Sequence, residues 1–288
     1  MNTPTPVHFP RATPVLPAFQ PWRWPGGLTA AYASETGRGH ERNEDSCSHI
    51  PSEERPGFCG VADGVGGGAH GEIASRVLLA HCAQAPKEAY SDPARLIEWL
   101  ARADAQVREA IARRTNRTGA ATLAAAWFPS QRTAYLLNVG DCRVYQLKPR
   151  MRGYAIRQLT VDQTYASFSQ EPPRDGRPED PARMVGVGAV GVPPVVRARI
   201  RSGALLLLCS DGVHRFVSDD EMAGIVSSGL RNGDSLRTIC SRLVQAARRN
   251  GGRDDASALL VMRRHWFRPR WLYGCALAAA LLLWLVLA

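Results

Sequence analysis

Between residues 57 and 262, apolar side chains fall into short runs that stop at turn residues. The runs at 57–62, 120–128, 133–139, 142–148, 154–159, 204–210 and 256–262 have strand length, and most stop at a turn residue such as Asp63, Pro129, Gly140, Pro149 or Ser210. Segments 71–83, 93–115, 218–227 and 233–249 instead repeat their apolar positions at helical spacing. The strands come in groups of two or three at hairpin spacing, and the helices come in pairs. Alternating strand–helix–strand units are missing, so the pattern predicts antiparallel sheets with helices packed outside them, not a doubly wound parallel sheet.

Two stretches depart from this pattern. Residues 1–27 carry seven prolines and almost no charge. They predict a flexible extended arm, and no basic start followed by an apolar core marks a signal peptide. At the other end, "WLYGCALAAALLLWLVLA" (271–288) runs for 18 residues without a charge. A helix of that length spans about 27 Å, close to the ~30 Å hydrocarbon core of a bilayer. The basic stretch before it (Arg263, Arg264, Arg268 and Arg270, among Trp266 and Phe267) marks a cytoplasmic flank. The chain is therefore expected to be single-pass, with a basic juxtamembrane segment 265–270, a transmembrane helix 271–288 and one domain, 28–264, on the cytoplasmic side of the inner membrane.

Composition narrows the function. The 288 residues carry a formal charge of +10, yet only Lys87 and Lys148 are lysines and the arginines are spread along the chain. Outside the juxtamembrane stretch no basic–aromatic block is present, so no nucleic acid is expected as a partner. The seven cysteines are scattered and lack a C-x-x-C pair, which excludes a zinc cluster of that type and fits a reducing compartment.

The chemistry begins at "FCGVADGVGGGAHGEIAS" (58–75), which contains a G-x-G-x-x-G match at 66–71. A dinucleotide cradle would need a second strand ending in Asp or Glu about 20 residues on. That region, "HCAQAPKEAYSDPARLIEWL", reads as helix and loop, and Asp63 would face the pyrophosphate. Asp63 also has company. "ALLLLCSDG" ends an apolar strand in Asp211-Gly212, "LLNVGDCRVY" puts Asp141 in a hairpin turn, "GGRDDASALLVM" sets Asp254 and Asp255 before the last strand, and "RNEDSC" puts Glu44 and Asp45 before another. Asp-Gly pairs also serve plain tight turns. Carboxylates gathered from several strand ends repel one another unless cations offset them, and hard oxygen ligands suit Mg²⁺ or Mn²⁺.

In these motifs the chain resembles the metal-dependent Ser/Thr protein phosphatases of the 2C type (PPM family) over roughly 30–263. The resemblance rests on "NED" at 43–45, "GVADGVGG" at 60–67, "GAATLAAAWF" from 119, "NVGDCRVY" at 138–145, "QLTVDQT" at 158–164, "LLLCSDGV" at 206–213 and "GGRDDASALLV" at 251–261, in the family's order. It implies an α+β fold, two antiparallel sheets forming a sandwich flanked by helices, with a dinuclear metal cleft at one end. It implies Asp63, Asp211 and Asp254 as the catalytic metal-binding residues. Asp63 would bridge two Mn²⁺ or Mg²⁺ ions, one of them also held by the Gly64 carbonyl, and Glu44 and Asp45 would act through water. Asp141 matches a residue associated with a third, weaker ion. The implied activity is hydrolysis of phosphoserine and phosphothreonine in phosphorylated proteins by a metal-bridging hydroxide, opposing a bacterial Ser/Thr kinase.

Two positions depart from the family. Where members place a phosphate-gripping arginine stands His40, with Arg38 and Arg42 beside it as candidate phosphate ligands. Val65 follows the first Asp-Gly, where some members have a histidine. The first departure keeps an alternative open, a catalytically degenerate binding or sensing module. A third reading is a tail-anchored scaffold docking through residues 1–27. His70 and His214 read as surface or packing residues, and 165–188 as a mobile flap beside the cleft or an inert surface loop.

Overall fold

The computed structural model describes residues 22–23, 27–50, 57–65, 70–90 and 92–263. The apolar run 271–288 and most of the Pro-rich arm lie outside the described residues. Within the described residues no helix is long and apolar enough to cross a membrane. Trp22 and Arg23 form a short strand, β1, registered on Ala30 and Thr29, so the end of the arm is paired to the sheet.

Two antiparallel sheets stack face to face. One takes β3 (Ser46–Ile50), β4 (Gly57–Val65), β5 (Ala120–Ser130), β6 (Thr133–Val139) and β9 (Val196–Arg199) in that order. The other runs β1, β2 (Leu28–Glu35), β11 (Ala256–Arg263), β10 (Leu205–Cys209), β7 (Arg143–Arg150) and β8 (Gly153–Gln158). Helices α1 (Gly71–Ala83) and α2 (Pro93–Ala112) cover the first sheet, and α4 (Asp219–Arg231) and α5 (Leu236–Arg249) cover the second. The single turn α3 (Asp211–His214) follows β10.

Strand alternation builds the layers. On β5, Ala121, Leu123, Ala125 and Trp127 face α1 and α2, while Ala124, Ala126 and Phe128 face the second sheet. β10 does the same with Leu206 and Leu208 between the sheets and Leu205, Leu207 and Cys209 toward α4 and α5. Both strands are buried on both faces, which explains runs as apolar as "LLLLC".

Local signals set the helix starts. Asp92 accepts from Ala94 N–H at 2.9 Å with Pro93 in the first turn, and Ser218 and Ser235 accept from Glu221 and Thr238 N–H. Boundaries shifted where tertiary contact decides. α4 continues to Arg231, beyond the expected end at 227, because Gly229 is there for contact: a Cβ would meet Ile239 Cγ1 of α5 at 2.6 Å. α5 begins only at Leu236, since Gly233 takes φ 76° in the turn before it. β2 and the edge strand β9 carry too little apolar alternation to read from sequence, and pairing with β11 and β6 defines them.

Candidate metal centre

The strand directions bring the predicted carboxylates to one end of the sandwich. Asp63 stands near the end of β4 opposite Thr122, Asp141 in the β6–β7 turn, Asp211 just after β10 and Asp254 just before β11. Glu44 and Asp45 precede β3. Glu44, Asp63, Gly64, Asp141, Asp211 and Asp254 line one open cleft of about 900 Å³, and Asp45 is buried beneath it. Close backbone approach makes this convergence possible. A Cβ on Gly64 would collide with the Gly71 backbone at the start of α1, and one on Gly71 would come within 2.6 Å of Glu44 Oε2. A Cβ on Gly212 would collide with the Asp255 carbonyl.

Packed this closely, several of the carboxyls are pushed toward their protonated forms. Burial, then the charges of Asp45, Asp211 and Asp141, raise Asp63 well above the carboxylate range. Burial pushes Asp45 up to about 8, against the opposing hydrogen bonds of Ser210 and Ser257. Asp141 is pushed to about 7, first by burial and then by Asp211, with Arg215 opposing. Burial also raises Glu44 and Asp254.

A divalent cation fits these donors. Asp45 Oδ1 and Asp211 Oδ1 are buried oxygens with no hydrogen-bond partner, which is costly unless something positive meets them. The other Asp45 oxygen accepts from Ser210 Oγ at 2.7 Å, which fixes the side chain. The donors are gathered rather than closed into a shell: among the described residues no three His, Cys, Asp or Glu side chains stand in ready ligand geometry. Repulsion is offset in other ways. Arg215 bridges two acids, with Nη2 2.8 Å from Asp141 Oδ2 and Nε 3.1 Å from Asp211 Oδ2.

The candidate phosphate ligands separate. His40 and Arg42 line the cleft, whereas Arg38 is exposed and outside its lining. The reason is the tight turn that closes from His40 N–H onto the Gly37 carbonyl at 3.3 Å and leaves Arg38 on its outer side. Arg42 lies 3.6 Å from Glu72, and His40 Nδ1 lies 3.2 Å from Asp255. Arg177 and Arg215 line the cleft as well. The four-residue spacing of Arg215 from Asp211, one helical turn, was the signal that could have found it.

Asp255 has a role that sequence reasoning missed. Its buried carboxylate accepts from Gly37 N–H and Glu44 N–H, each at 2.6 Å, and so pins both ends of the loop carrying His40 and Arg42. His214 is not a surface residue. Burial, then Arg143, lowers it to about 4, and its neutral ring bonds the Asp141 carbonyl at 2.9 Å. His70 caps α1 with φ 89°. Segment 165–188 is part of the cleft: Tyr165, Arg177, Asp180 and Met184 line it, and the Glu179 carbonyl accepts from Arg215 at 3.1 Å.

Comparison with known proteins agrees with this geometry. The protein phosphatase 2C family pattern matches residues 36–260. The serine/threonine phosphatase stp of Listeria monocytogenes is 27% identical over 250 residues, covering 82% of this chain and 96% of its own length. The serine/threonine protein phosphatase PstP of Mycobacterium tuberculosis is 31% identical over 254 residues, 81% of this chain and 45% of that longer protein. The PstP catalytic domain, solved in complex with 2 manganese ions, superimposes with a TM-score of 0.64 at 25% identity, over 83% of this chain and 99% of that one. The chain belongs to the protein phosphatase 2C family and is a metal-dependent protein serine/threonine phosphatase.

Proposed function

We propose that the cleft hydrolyses phosphoserine and phosphothreonine esters with Asp63, the Gly64 carbonyl, Asp211 and Asp254 holding two Mn²⁺ or Mg²⁺ ions. The observation that carries the assignment is the pair of buried, unpartnered carboxylate oxygens, Asp45 Oδ1 and Asp211 Oδ1, beside Asp63, whose pKa is raised by burial and by the neighbouring acids. Such ions, when bound, supply a nucleophile at neutral pH and offset charge on the transferring phosphoryl group. The protein's own residues do the positioning. Asp45, buried beneath the cleft and held by Ser210, and Glu44, which lines it and whose N–H is held by Asp255, would hold water for the ions. Arg42 on the pinned loop and Arg177 from the flap side present positive groups to the substrate phosphate, and His40 lies beside them in the cleft lining. Asp141 would take a third ion only in competition with Arg215, which already bridges it to Asp211.

The apolar run 271–288 and its basic flank support a further reading, an anchor in the inner membrane with the catalytic domain in the cytoplasm. There the enzyme would act on phosphoproteins near the membrane, including the targets of an opposing Ser/Thr kinase.

The test is hydrolysis of p-nitrophenyl phosphate and a phosphothreonine peptide by metal-stripped protein, with and without Mn²⁺, beside Asp63→Asn. Turnover of both substrates that needs Mn²⁺ and falls about 10³-fold in the variant is expected. Metal binding without turnover of either substrate would instead favour a binding module, for which the His40–Asp255 contact gives a reason.

A further inference from the structure

The end of the sandwich opposite the cleft has its own chemistry. It is formed by the β5–β6 turn, the β7–β8 hairpin, the β9–β10 connection and the end of β11. Arg132 sits in the first, Arg150 and Arg152 flank the tip of the second, Arg199 and Arg201 lead through the third, and Arg263 closes the fourth. The connections touch one another. Ile200 N–H donates to the Arg132 carbonyl at 2.9 Å, Arg263 Nη1 to the Ile200 carbonyl at 3.0 Å and Tyr154 Oη to the Gly203 carbonyl at 3.1 Å. Burial and the charges of Arg132 and Arg199 lower Arg263 from the usual guanidinium range, as expected where cations crowd.

None of Arg132, Arg150, Arg152, Arg199 and Arg201 is in an ion pair among the described residues. Residues 51–56, between β3 and β4, lie outside the described residues; by sequence they carry Glu53, Glu54 and Arg55. At the hairpin tip between Arg150 and Arg152, Met151 is fully exposed, 104% relative to an open reference. An apolar side chain flanked by arginines suits a headgroup boundary, where the guanidinium groups meet phosphate and the thioether enters the acyl region.

The chain's exit selects the occupant. β11 ends at Arg263 on this face, and seven residues, 264–270, separate it from the apolar run. Fully extended they reach about 24 Å, and Arg264, Arg268 and Arg270 lie among them. A domain on so short a tether has this end closest to the membrane, at times within a Debye length of about 8 Å.

We infer that the end of the sandwich opposite the cleft is a docking face for an anionic phospholipid bilayer, which holds the domain on the membrane with the cleft turned toward the cytoplasm. The inference rests on the anchor reading for its geometry and adds a requirement for lipid charge.

The test uses the full chain with vesicles of phosphatidylcholine alone or with 30% phosphatidylglycerol, following flotation and amide exchange at 130–133 and 150–153. Flotation with both vesicles is expected, with exchange slowed about tenfold only on the anionic ones. That slowing should disappear in Arg150→Glu/Arg152→Glu/Arg199→Glu while flotation persists. Flotation with both and equal exchange would overturn the docking face and leave the anchor standing. Flotation only with phosphatidylglycerol, with slowed exchange, would uphold the docking face and remove the anchor. No flotation with either overturns both. Slowing by a 20-base-pair DNA duplex but not by anionic vesicles would reassign the face to nucleic acid and overturn the lipid inference.

Discussion

The two ends of this sandwich are made by the same strands and have opposite chemistry. At the cleft end β4, β10 and β11 place Asp63, Asp211 and Asp254, while at the other end the turns from β5 to β6 and β7 to β8 carry Arg132, Arg150 and Arg152. A net charge of +10 hides this segregation. The ends also differ in what their charges touch. The acids sit against each other, Arg215 and buried hydroxyls, so their protonation is tied to the fold. The described basal arginines are exposed apart from half-buried Arg263, so removing one leaves no buried group stranded. Charge held by tertiary contact responds to metal and pH, whereas charge on open turns is free to meet a partner.

The largest effect on folding is expected from breaking the cleft end at Asp255. Asp255→Ala leaves the Gly37 and Glu44 N–H groups without their acceptor and should cost about 2–3 kcal/mol. That lowers the melting temperature by about 5–10 °C, and calorimetry on the metal-free protein would measure it. An unchanged melting temperature would mean the loop is held by other contacts.

Titration sharpens the comparison next. The folded pKa of Asp45 (about 8), of Asp141 (about 7) and of Asp63 all lie above the unfolded value. The folded metal-free protein therefore holds protons that the unfolded chain releases above about pH 4. The stability these groups contribute is complete below that pH and is lost as pH rises through 7–8. Saturating Mn²⁺ replaces the protons, so its stabilisation should grow by several °C between pH 5.5 and 8 in a thermal-shift series. A shift independent of pH would show that the carboxyls are already ionised.

Arg215→Ala removes the resident cation from Asp141 and Asp211. Mn²⁺ affinity, measured by calorimetric titration, should tighten about fivefold, corresponding to ~1 kcal/mol. Weaker binding would mean that Arg215 helps to hold the ligands in place. The smallest effect should come from the basal end: without membranes, Arg150→Glu/Arg152→Glu should change p-nitrophenyl phosphate turnover less than about twofold and stability by less than about 0.5 kcal/mol. A larger loss would couple the hairpin to the cleft.

Much of this protein was legible before its fold. Alternation in "AATLAAAWF" and the solid run "LLLLC" marked strands buried on both faces, because side-chain period and burial are local consequences of a pleated chain. The Asp-Gly strand ends marked the acids for a related reason: a strand that must stop at a cleft needs a tight turn there. What sequence could not supply was anything that depends on two distant segments meeting. Gly229 lay beyond the expected helix end at 227 and is a contact with Ile239, and Asp255 stood beside an expected ligand and is the acceptor for Gly37 and Glu44. Arg215 and Asp141 lie 74 residues apart, and Arg38 falls outside the cleft while His40 falls within it. Local pattern determined the strands, the candidate ligands and their chemistry. Only the tertiary structure decided which acids crowd together, which cation stands among them and that the arginines gather at the far end, because these are properties of distances between segments.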